Sequence, residues 1–397
     1  MTLKPWMPSL PSETKYCRLT RKPAVNKKAS QGIWLRKSNM HIDELLRGMV
    51  NRGASDLHLT VPSPPVLRID GALVPQKDLP PVTARDVELA LEQAATEEQR
   101  SVFAREWELD FAYSVPGLAR FRVNALRQRG VISLAFRFVP FYVPSIDEWG
   151  LPQIFKELIL RPRGIILITG PSGSGKSTTL AAMVRHLNEN ATKNVITVED
   201  PIEFLFRNKE CLIRQRDLGD DTRSFAAAVI HALRHDADVI VIGEMRDLDT
   251  MSTAMTAAET GHLVLGTLHT VDAPQSIDRI IDVFPYGQQQ QIRVQLSQVI
   301  EAVISQTLIP RIDGGRIAAF EIMLASHTIR KYIREEKIFE IPVTMEVSRP
   351  EGMQTLDQAL TDLVKRKLVT LEDALMKSRD PVKLQRSLQS QDEAATS

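Results

Sequence analysis

Residues 170–177, GPSGSGKS, have the spacing G-x(4)-G-K-[ST] of a phosphate-binding loop. The apolar run 165–169 precedes them and a helical segment follows, which is the strand–loop–helix context that the motif requires. Glycines let the backbone N–H groups of such a loop point at phosphate oxygens, and the next helix offers its positive end. The residues predicted to bind a nucleotide are Gly170, Ser172, Gly173, Ser174, Gly175, Lys176, Ser177 and Thr178.

Two side chains of this loop predict the ligand chemistry. Lys176 is expected to reach the β- and γ-phosphates, and the Ser177 hydroxyl is expected to bind Mg²⁺. The sequence therefore predicts ATP and Mg²⁺ as ligands.

Acidic residues at strand ends are the candidates for completing the site. Asp238 and Glu244 bracket one apolar run and, at roughly 3.3 Å per residue, lie about 20 Å apart. Ligands of open α/β sheets bind at the carboxyl ends of strands, so Glu244 is predicted to act on Mg²⁺ through a metal-bound water. Asp238 is predicted to stand at the strand entrance. The usual position of a Mg²⁺-side aspartate falls near Gly243, which has no side chain.

A second acidic cluster follows another predicted strand in VITVEDPIE, residues 195–203. Glu199, at the strand end, is predicted to polarise the attacking water. Asp200 and Glu203 are either further acids of the site or turn and capping residues, because Pro201 interrupts the strand.

Two histidines flank the predicted strand 263–268. With threonines close to the second histidine, the pair suggests a sensor of the γ-phosphate. Seven residues apart along a strand, they cannot both touch one phosphate. His269, at the carboxyl end, is predicted to make the contact, and His262 to act at a different subunit face. Zinc is not expected, because no further ligands occur at metal-binding spacing.

The elements that must position these residues fall into six segments. Alternating runs and two helical stretches predict a small α+β domain, and beyond residue 164 apolar strands alternate with longer helices, which predicts a mainly parallel α/β sheet covered on both faces. After residue 273 the pattern is helical apart from a short strand near 317–322. The predicted segments are a disordered basic leader (1–39), an N-terminal domain (40–140), a linker (141–155), an ATPase core (156–272), a helical C-terminal part (273–380) and a polar tail (381–397).

Composition narrows the functional classes. The chain has 397 residues, 43% of them apolar and 25% charged, which is typical of a globular protein. Its two cysteines, Cys17 and Cys211, provide neither a disulfide framework nor a metal cluster. Residues 1–39 hold nine Lys and Arg against one acid, so the rest of the chain is net negative. A net acidic body argues against a general nucleic-acid binder.

Five segments in this order resemble boxes of the secretion-ATPase superfamily, and specifically the type IV pilus retraction ATPases, the PilT family. The resemblance covers residues 40 to about 380. The segments are GASDLHL (53–59), the phosphate loop (170–177), ITVEDPIE (196–203), GEMRD (243–247) and AETGHLVLGTLH (258–269).

This resemblance implies a homo-hexameric ring of subunits, each with a PAS-like N-terminal domain and a RecA-like P-loop ATPase domain. It also implies a cytoplasmic protein, peripheral at the inner membrane at the pilus base, whose partners are the pilus assembly platform protein and a paralogous retraction ATPase. Family arginines that reach the nucleotide correspond to Arg120, Arg122 and Arg137. A guanidinium on the developing phosphate charge is worth roughly 10³–10⁵ in rate. Arg120 and Arg122 share one strand face, and at least one of the three arginines is expected to be structural.

The C-terminal box TIRKYIRE (328–335) resembles the AIRNLIRE box that the family associates with retraction. It departs from that box at Thr328, Lys331 and Tyr332, which keeps an accessory, PilU-like retraction ATPase as the alternative. Extension and type II secretion ATPases are similar but usually carry a four-cysteine zinc module. Two rivals from other classes are a nucleic-acid translocase and a scaffold that binds nucleotide without hydrolysing it.

Overall fold

The computed structural model describes residues 41–69, 71–140 and 142–395. The basic leader predicted for residues 1–39 lies outside the described residues. An antiparallel α+β domain is followed by a larger α/β domain with additional C-terminal helices. The predicted α/β class is therefore confirmed. Within the described ranges, no helix is both long enough and apolar enough to cross a membrane.

In the described residues 41–69 and 71–140, the N-terminal domain contains three helices and a six-stranded sheet. Its elements are α1 (Ile42–Asn51), β1 (Asp56–Leu59), β2 (Val66–Ile69), β3 (Ala72–Pro75), α2 (Ala84–Ala94), α3 (Glu97–Glu106), β4 (Glu108–Val115), β5 (Ala119–Gln128) and β6 (Val131–Val139). The strands are antiparallel in the order β3-β2-β1-β6-β5-β4. Alternation in β5 turns Phe121 and Val123 into the core and leaves Arg120 and Arg122 on the opposite face.

The larger α/β domain follows, with a seven-stranded sheet. Its elements are α4 (Ile154–Ile159), β7 (Gly164–Thr169), α5 (Lys176–Asn190), β8 (Asn194–Glu199), β9 (Leu212–Asp217), α6 (Phe225–Leu233), β10 (Val239–Ile242), α7 (Leu248–Glu259), β11 (Leu263–Leu268), α8 (Ala273–Asp282), α9 (Tyr286–Val299), β12 (Ile300–Pro310) and β13 (Arg316–Leu324). The order is β13-β12-β7-β11-β10-β8-β9, and only β13 runs antiparallel to its neighbour.

Both faces of this sheet are covered, as the continuous apolar strands predict. Ile165 and Leu167 of β7 pack with α6 to α9 on one face, whereas Ile166 and Ile168 pack with α4 and α5 on the other. All six residues of β7 and of β11 are buried. This arrangement brings the carboxyl ends of the six parallel strands together at one edge.

The sheet extends further than the sequence predicts. The segment after residue 273 was expected to be helical with a short strand near 317–322, but β12 and β13 together form a long hairpin there. β12 follows α9 without a turn signal, and a short apolar run cannot be assigned to strand or helix by periodicity alone.

The C-terminal helices pack on β12 and β13 and around one another. They are α10 (His327–Arg334), α11 (Ile341–Val347), α12 (Leu356–Lys365), α13 (Leu371–Lys377) and α14 (Pro381–Ala395). The predicted polar tail thus contains a helix, and Leu384 is buried against α12 and α13. The predicted linker is also packed, because Ile146 and Leu151 lie in the hydrophobic core of the α/β domain. The predicted domain boundaries themselves stay predictions.

Candidate active site

A cavity of about 270 Å³ opens at the carboxyl edge of the seven-stranded sheet, between β7, β8, β10 and β11. Parallel α/β sheets bind ligands at this edge. The cavity brings together Lys176, Ser177, Glu199, Glu244 and His269, which the sequence had predicted to meet at a nucleotide. The geometry of these residues agrees with the prediction, whereas their chemical roles stay predictions.

The phosphate loop links β7 to α5, and Lys176 is the first residue of that helix. Gly170 has a φ of +142° and Gly175 a φ of +91°, values that side chains rarely tolerate. A Cβ on Gly170 would also collide with the carbonyl oxygen of Gln306. The loop therefore needs glycine at Gly170 both for its backbone conformation and for its contact with β12.

Lys176 folds back over its own loop. Its Nζ donates to the carbonyl oxygens of Gly170 (2.7 Å) and Pro171 (3.2 Å). Burial lowers the pKa of Lys176, and the carboxylates of Glu244 and Glu203 oppose that shift. An ammonium held only by carbonyl oxygens in a half-buried site is well placed to transfer its hydrogen bonds to phosphate oxygens.

Gln306 of β12 supports the loop from below, a contact that the sequence reasoning missed. Its Nε2 donates to Ser174 O (2.6 Å), and its Oε1 accepts from Thr179 Oγ1 (2.7 Å). One residue earlier, Ser305 Oγ accepts from Thr169 Oγ1 (2.8 Å) at the end of β7. A buried glutamine in an apolar strand was the available signal, but the strand itself had not been predicted.

Ser177 and Glu244 offer hard oxygen ligands at the same edge. Among the described residues, no group of three or more His, Cys, Asp or Glu could hold a metal ion alone. Mg²⁺ usually binds through one or two protein oxygens together with substrate phosphates and water. The hydroxyl and the carboxylate therefore fit a Mg²⁺ that is bound mainly by a nucleotide.

Glu244 is the centre of a small charged cluster. It pairs with Arg246, and His269 Nε2 lies 3.0 Å from Glu244 Oε1. Burial alone would raise the pKa of Glu244, but the hydrogen bond from Arg246 and the charge of His269 bring it below its ordinary value. Glu244 therefore stays ionised at neutral pH. Arg246 had not been singled out, although it lies within the GEMRD segment.

Gly243, beside Glu244, lies in tight contact with the neighbouring strand. A Cβ at this position would lie 3.1 Å from both Glu199 Cα and Val198 O. The close approach of β8 thus disfavours a side chain at Gly243, and the acidic residue of this segment is the next one, Glu244.

Glu199 is held by three donors at the end of β8. Its Oε1 accepts from Thr197 Oγ1 (2.7 Å) and Gln215 Nε2 (3.2 Å), and its Oε2 accepts from the Glu203 backbone N–H (3.3 Å). Burial raises the pKa of Glu199 despite these hydrogen bonds. A carboxylate with a raised pKa and a fixed orientation is suited to accept a proton from water.

The neighbouring acids and Gln215 complete this wall of the cavity. Asp200 and Glu203 both line it. Gln215, on β9, also donates to Phe204 O (2.7 Å) and accepts from the Phe206 N–H (2.9 Å), so it fixes the loop after β8 as well as Glu199. Sequence reasoning missed Gln215 because it follows Glu199 by sixteen residues without a recognisable motif.

His262 does not reach this cavity. It lies at the amino end of β11, where its Nδ1 is 2.9 Å from Ala257 O and 3.2 Å from Thr260 Oγ1. The length of β11 separates His262 from His269, and the predicted action of His262 at a different subunit face stays a prediction. Asp238 is also remote from the cavity. It lies just before β10 and accepts from the Asn194 N–H (2.9 Å), as predicted for a strand-entrance residue.

None of the three candidate arginines lines the cavity of its own chain. Arg120 Nη2 lies 2.7 Å from Asp217 Oδ2, at the end of β9 in the α/β domain. Arg137 Nε lies 2.8 Å from Asp56 Oδ1 within the N-terminal sheet. Arg122 stands opposite Arg137 in the strand register and makes no hydrogen bond or ion pair in the described part of the chain. Among the described residues, Arg120 and Arg137 thus have ion-pair partners and Arg122 has none.

Comparison with known proteins places this site in a family. Residues 150–315 match the family model described as type II/IV secretion system protein. Over 342 residues the chain is 46% identical to the type IV pilus retraction ATPase PilT of Pseudomonas aeruginosa, covering 86% of this chain and 99% of that protein. The chain belongs to the PilT family of secretion ATPases.

Two further PilT-family similarities agree with this assignment. The chain is 40% identical over 339 residues to the type IV pilus ATPase PilU of Pseudomonas aeruginosa, covering 85% of this chain and 88% of that protein. A crystal structure of the pilus retraction motor PilT with bound ADP superposes with a TM-score of 0.82 at 44% identity, covering 88% of this chain and all of that one. The family resemblance and the predicted fold, an N-terminal domain followed by a RecA-like ATPase domain, are both confirmed.

Proposed function

We propose that this protein is an ATP-hydrolysing motor that powers retraction of type IV pili. The observation that carries the proposal is the convergence of the phosphate loop, Glu199, Glu244 and His269 on one cavity. The 46% sequence identity between this chain and a pilus retraction ATPase supports the same conclusion.

The proposed reaction uses the residues of the cavity as follows. Glu199 accepts a proton from water while the water oxygen bonds to the γ-phosphorus and the bond to the β–γ bridging oxygen breaks. Lys176 stabilises the negative charge on the phosphate oxygens. His269, next to Glu244, responds to the presence of the γ-phosphate. Ser177 and, through water, Glu244 would hold a nucleotide-bound Mg²⁺, which would supply further positive charge.

A ring completes the site in this proposal. Because the arginines of the N-terminal sheet lie outside the cavity of their own chain, a neighbouring subunit of a homo-hexamer supplies a guanidinium, with Arg122 as the first candidate. Hydrolysis in one subunit then depends on the position of the next, which couples bond cleavage to rigid-body motion of domains. The partner of the ring is the pilus assembly platform protein at the cytoplasmic side of the inner membrane.

The box at residues 328–335 supports retraction. Ile329 and Ile333 of α10 are buried, and Arg330 donates to Ser297 O and Gln298 O (both 2.8 Å) and pairs with Glu301 (2.7 Å). The matching residues of the box therefore anchor α10 to α9 and β12. Two of the three departures, Thr328 and Lys331, lie on the surface, so the internal contacts of the box are kept.

Complementation of a strain that lacks its own PilT-type and PilU-type ATPases tests the proposal. We expect the intact protein to restore twitching motility and to remove excess surface pili, and Lys176→Ala to do neither. Purified Lys176→Ala should also release no phosphate from ATP. Retraction powered by Lys176→Ala would refute the motor function.

Two additional measurements separate the remaining alternatives. Restoration of motility only when a PilT-type ATPase is also present would indicate the accessory, PilU-like role. ATP hydrolysis that requires DNA at moderate salt would indicate a translocase, and nucleotide binding without phosphate release would indicate a scaffold.

A further inference from the structure

The turn between α13 and α14 reaches back to the loop that follows His269. The backbone N–H of Arg379, in this turn, donates to Asp357 Oδ1 (3.0 Å) on α12. Its guanidinium donates from Nη2 to Val271 O (3.2 Å), and Nη1 lies 3.3 Å from Asp272 Oδ2. A residue more than one hundred positions downstream therefore contacts the backbone two residues after His269.

The acids around Arg379 fix the start of α8. Asp272 is the N-cap of that helix and accepts from the Gln275 N–H (2.7 Å). Glu321, on β13, pairs with Arg379 Nη2 (2.9 Å) and accepts from the Ala273 N–H through its other oxygen (2.9 Å). The guanidinium and two carboxylates thus hold residues 271–273 between the C-terminal helices and the sheet.

The contact between Arg379 and Glu321 is connected to the strand end that precedes the phosphate loop. Glu321 lies opposite Ser305 in the register of β12 and β13, and Ser305 Oγ accepts a hydrogen bond from Thr169 Oγ1 at the end of β7. Glu321 is 3% exposed, so its carboxylate cannot turn to solvent if Arg379 is removed. Arg379 is consequently placed to fix the position of the loop after His269 with respect to the phosphate loop.

We propose that Arg379 is a positioning residue for ATP hydrolysis, which holds the His269–Asp272 loop at the nucleotide edge and makes turnover depend on α13 and α14. The inference rests on the proposed ATPase activity. Arg379 acts through His269 and does not contact the nucleotide, so its loss lowers kcat more than it raises KM. A misplacement of about 1 Å in a catalytic group costs up to about 10²-fold in rate.

Steady-state hydrolysis of Mg²⁺-ATP by the full-length protein tests this assignment. We expect Arg379→Gln to lower kcat about tenfold while KM changes less than about twofold. Arg379→Lys should recover part of kcat, because one ammonium can pair with one acid but cannot bridge two. The matched control is Lys383→Gln, four residues after Arg379. It removes an exposed 2.6 Å ion pair with Glu346 and should leave kcat unchanged.

A second variant keeps the test decisive if Arg379→Gln folds poorly. Asp272→Asn retains a good N-cap for α8 but loses the charge that faces Arg379, so it should lower kcat severalfold in a folded protein. The double variant should be no slower than the slower single variant, because both changes break one contact. Unchanged kcat in folded Arg379→Gln or Asp272→Asn, or fully additive losses, would overturn the assignment. An inactive wild-type protein would instead overturn the proposed function.

Discussion

Arg120 of the N-terminal sheet and Asp217 of the seven-stranded sheet form a 2.7 Å ion pair between the two domains of one chain. Asp217 is 3% exposed, and its Oδ1 also accepts from the Ile202 N–H (3.2 Å) in the loop after Glu199. Burial raises the pKa of Asp217, and Arg120 opposes that shift. Arg120 therefore anchors the N-terminal domain, through Asp217, to the loop that follows the proposed catalytic base Glu199.

Replacement of Arg120 should first affect stability. Arg120→Ala leaves the Asp217 carboxylate buried without its partner, so we expect the free energy of unfolding to fall by about 1–3 kcal/mol. Denaturant unfolding of Arg120→Ala with and without Asp217→Asn measures the effect, and the double variant should recover part of the loss. Arg105→Ala, which removes an exposed pair with Glu106, is the control. If Arg120→Ala is as stable as the wild type, the ion pair is not an anchor.

Replacement of Arg122 should affect turnover and not stability. It has no ion pair in the described part of the chain, so Arg122→Ala should keep the melting temperature while kcat falls about 10³-fold. Mixing Arg122→Ala subunits with inactive Lys176→Ala subunits should restore activity, because the latter supply the arginine and the former an intact phosphate loop. Arg127→Ala, further along β5 where Arg127 lies over the Trp107 ring, should leave kcat unchanged. Failure of the mixture to recover any activity would exclude action between subunits.

Glu199→Gln should remove activity and increase stability. We expect kcat to fall at least about 10²-fold, because an amide cannot accept the proton from water. The pKa of Glu199 is raised by burial, so its ionised form is disfavoured in the folded protein. The stabilising effect of glutamine should therefore grow as pH rises through the folded-state pKa of Glu199 and vanish below the ordinary glutamate value of about 4.3.

The same raised pKa predicts the pH dependence of the wild-type enzyme. The base must be deprotonated to act, so activity should be lost as pH falls through a pKa above the ordinary glutamate value. Melting temperatures of Glu199→Gln and wild type from pH 4 to pH 8, together with the acid limb of kcat/KM, check both expectations. A melting temperature of Glu199→Gln below that of the wild type at pH 8 would contradict the stability argument.

Gln306→Ala should weaken nucleotide binding. The change leaves Ser174 O and the Thr179 hydroxyl without their partner, and a buried group without a partner costs about 1–3 kcal/mol. We expect the affinity for a fluorescent ADP analogue to fall about tenfold, which corresponds to roughly 1.4 kcal/mol. Gln288→Ala, at an exposed position of α9, is the control. Equal affinities in both variants would show that the loop holds its shape without β12.

Local sequence determined the phosphate loop and the edge of the sheet where its partners lie. The phosphate-loop motif around Lys176 can be recognised from residues that are neighbours in the sequence. The direction of the strands alone places Glu199, Glu244 and His269 at their carboxyl ends. The same reasoning correctly put Asp238 at the opposite end. Alternation along β5 also placed Arg120 and Arg122 on one face, as the structure has them.

The tertiary structure alone decided what supports these residues. Gln306 and Ser174 are separated by 132 positions, and Arg379 and Val271 by 108. No local pattern encodes contacts across such distances, because they depend on which strands become neighbours. The sequence placed Arg120 on one face of its strand but did not identify Asp217 as its partner. Alternation along a strand specifies the side to which a side chain points, and it does not specify which residue the folded chain brings to that side.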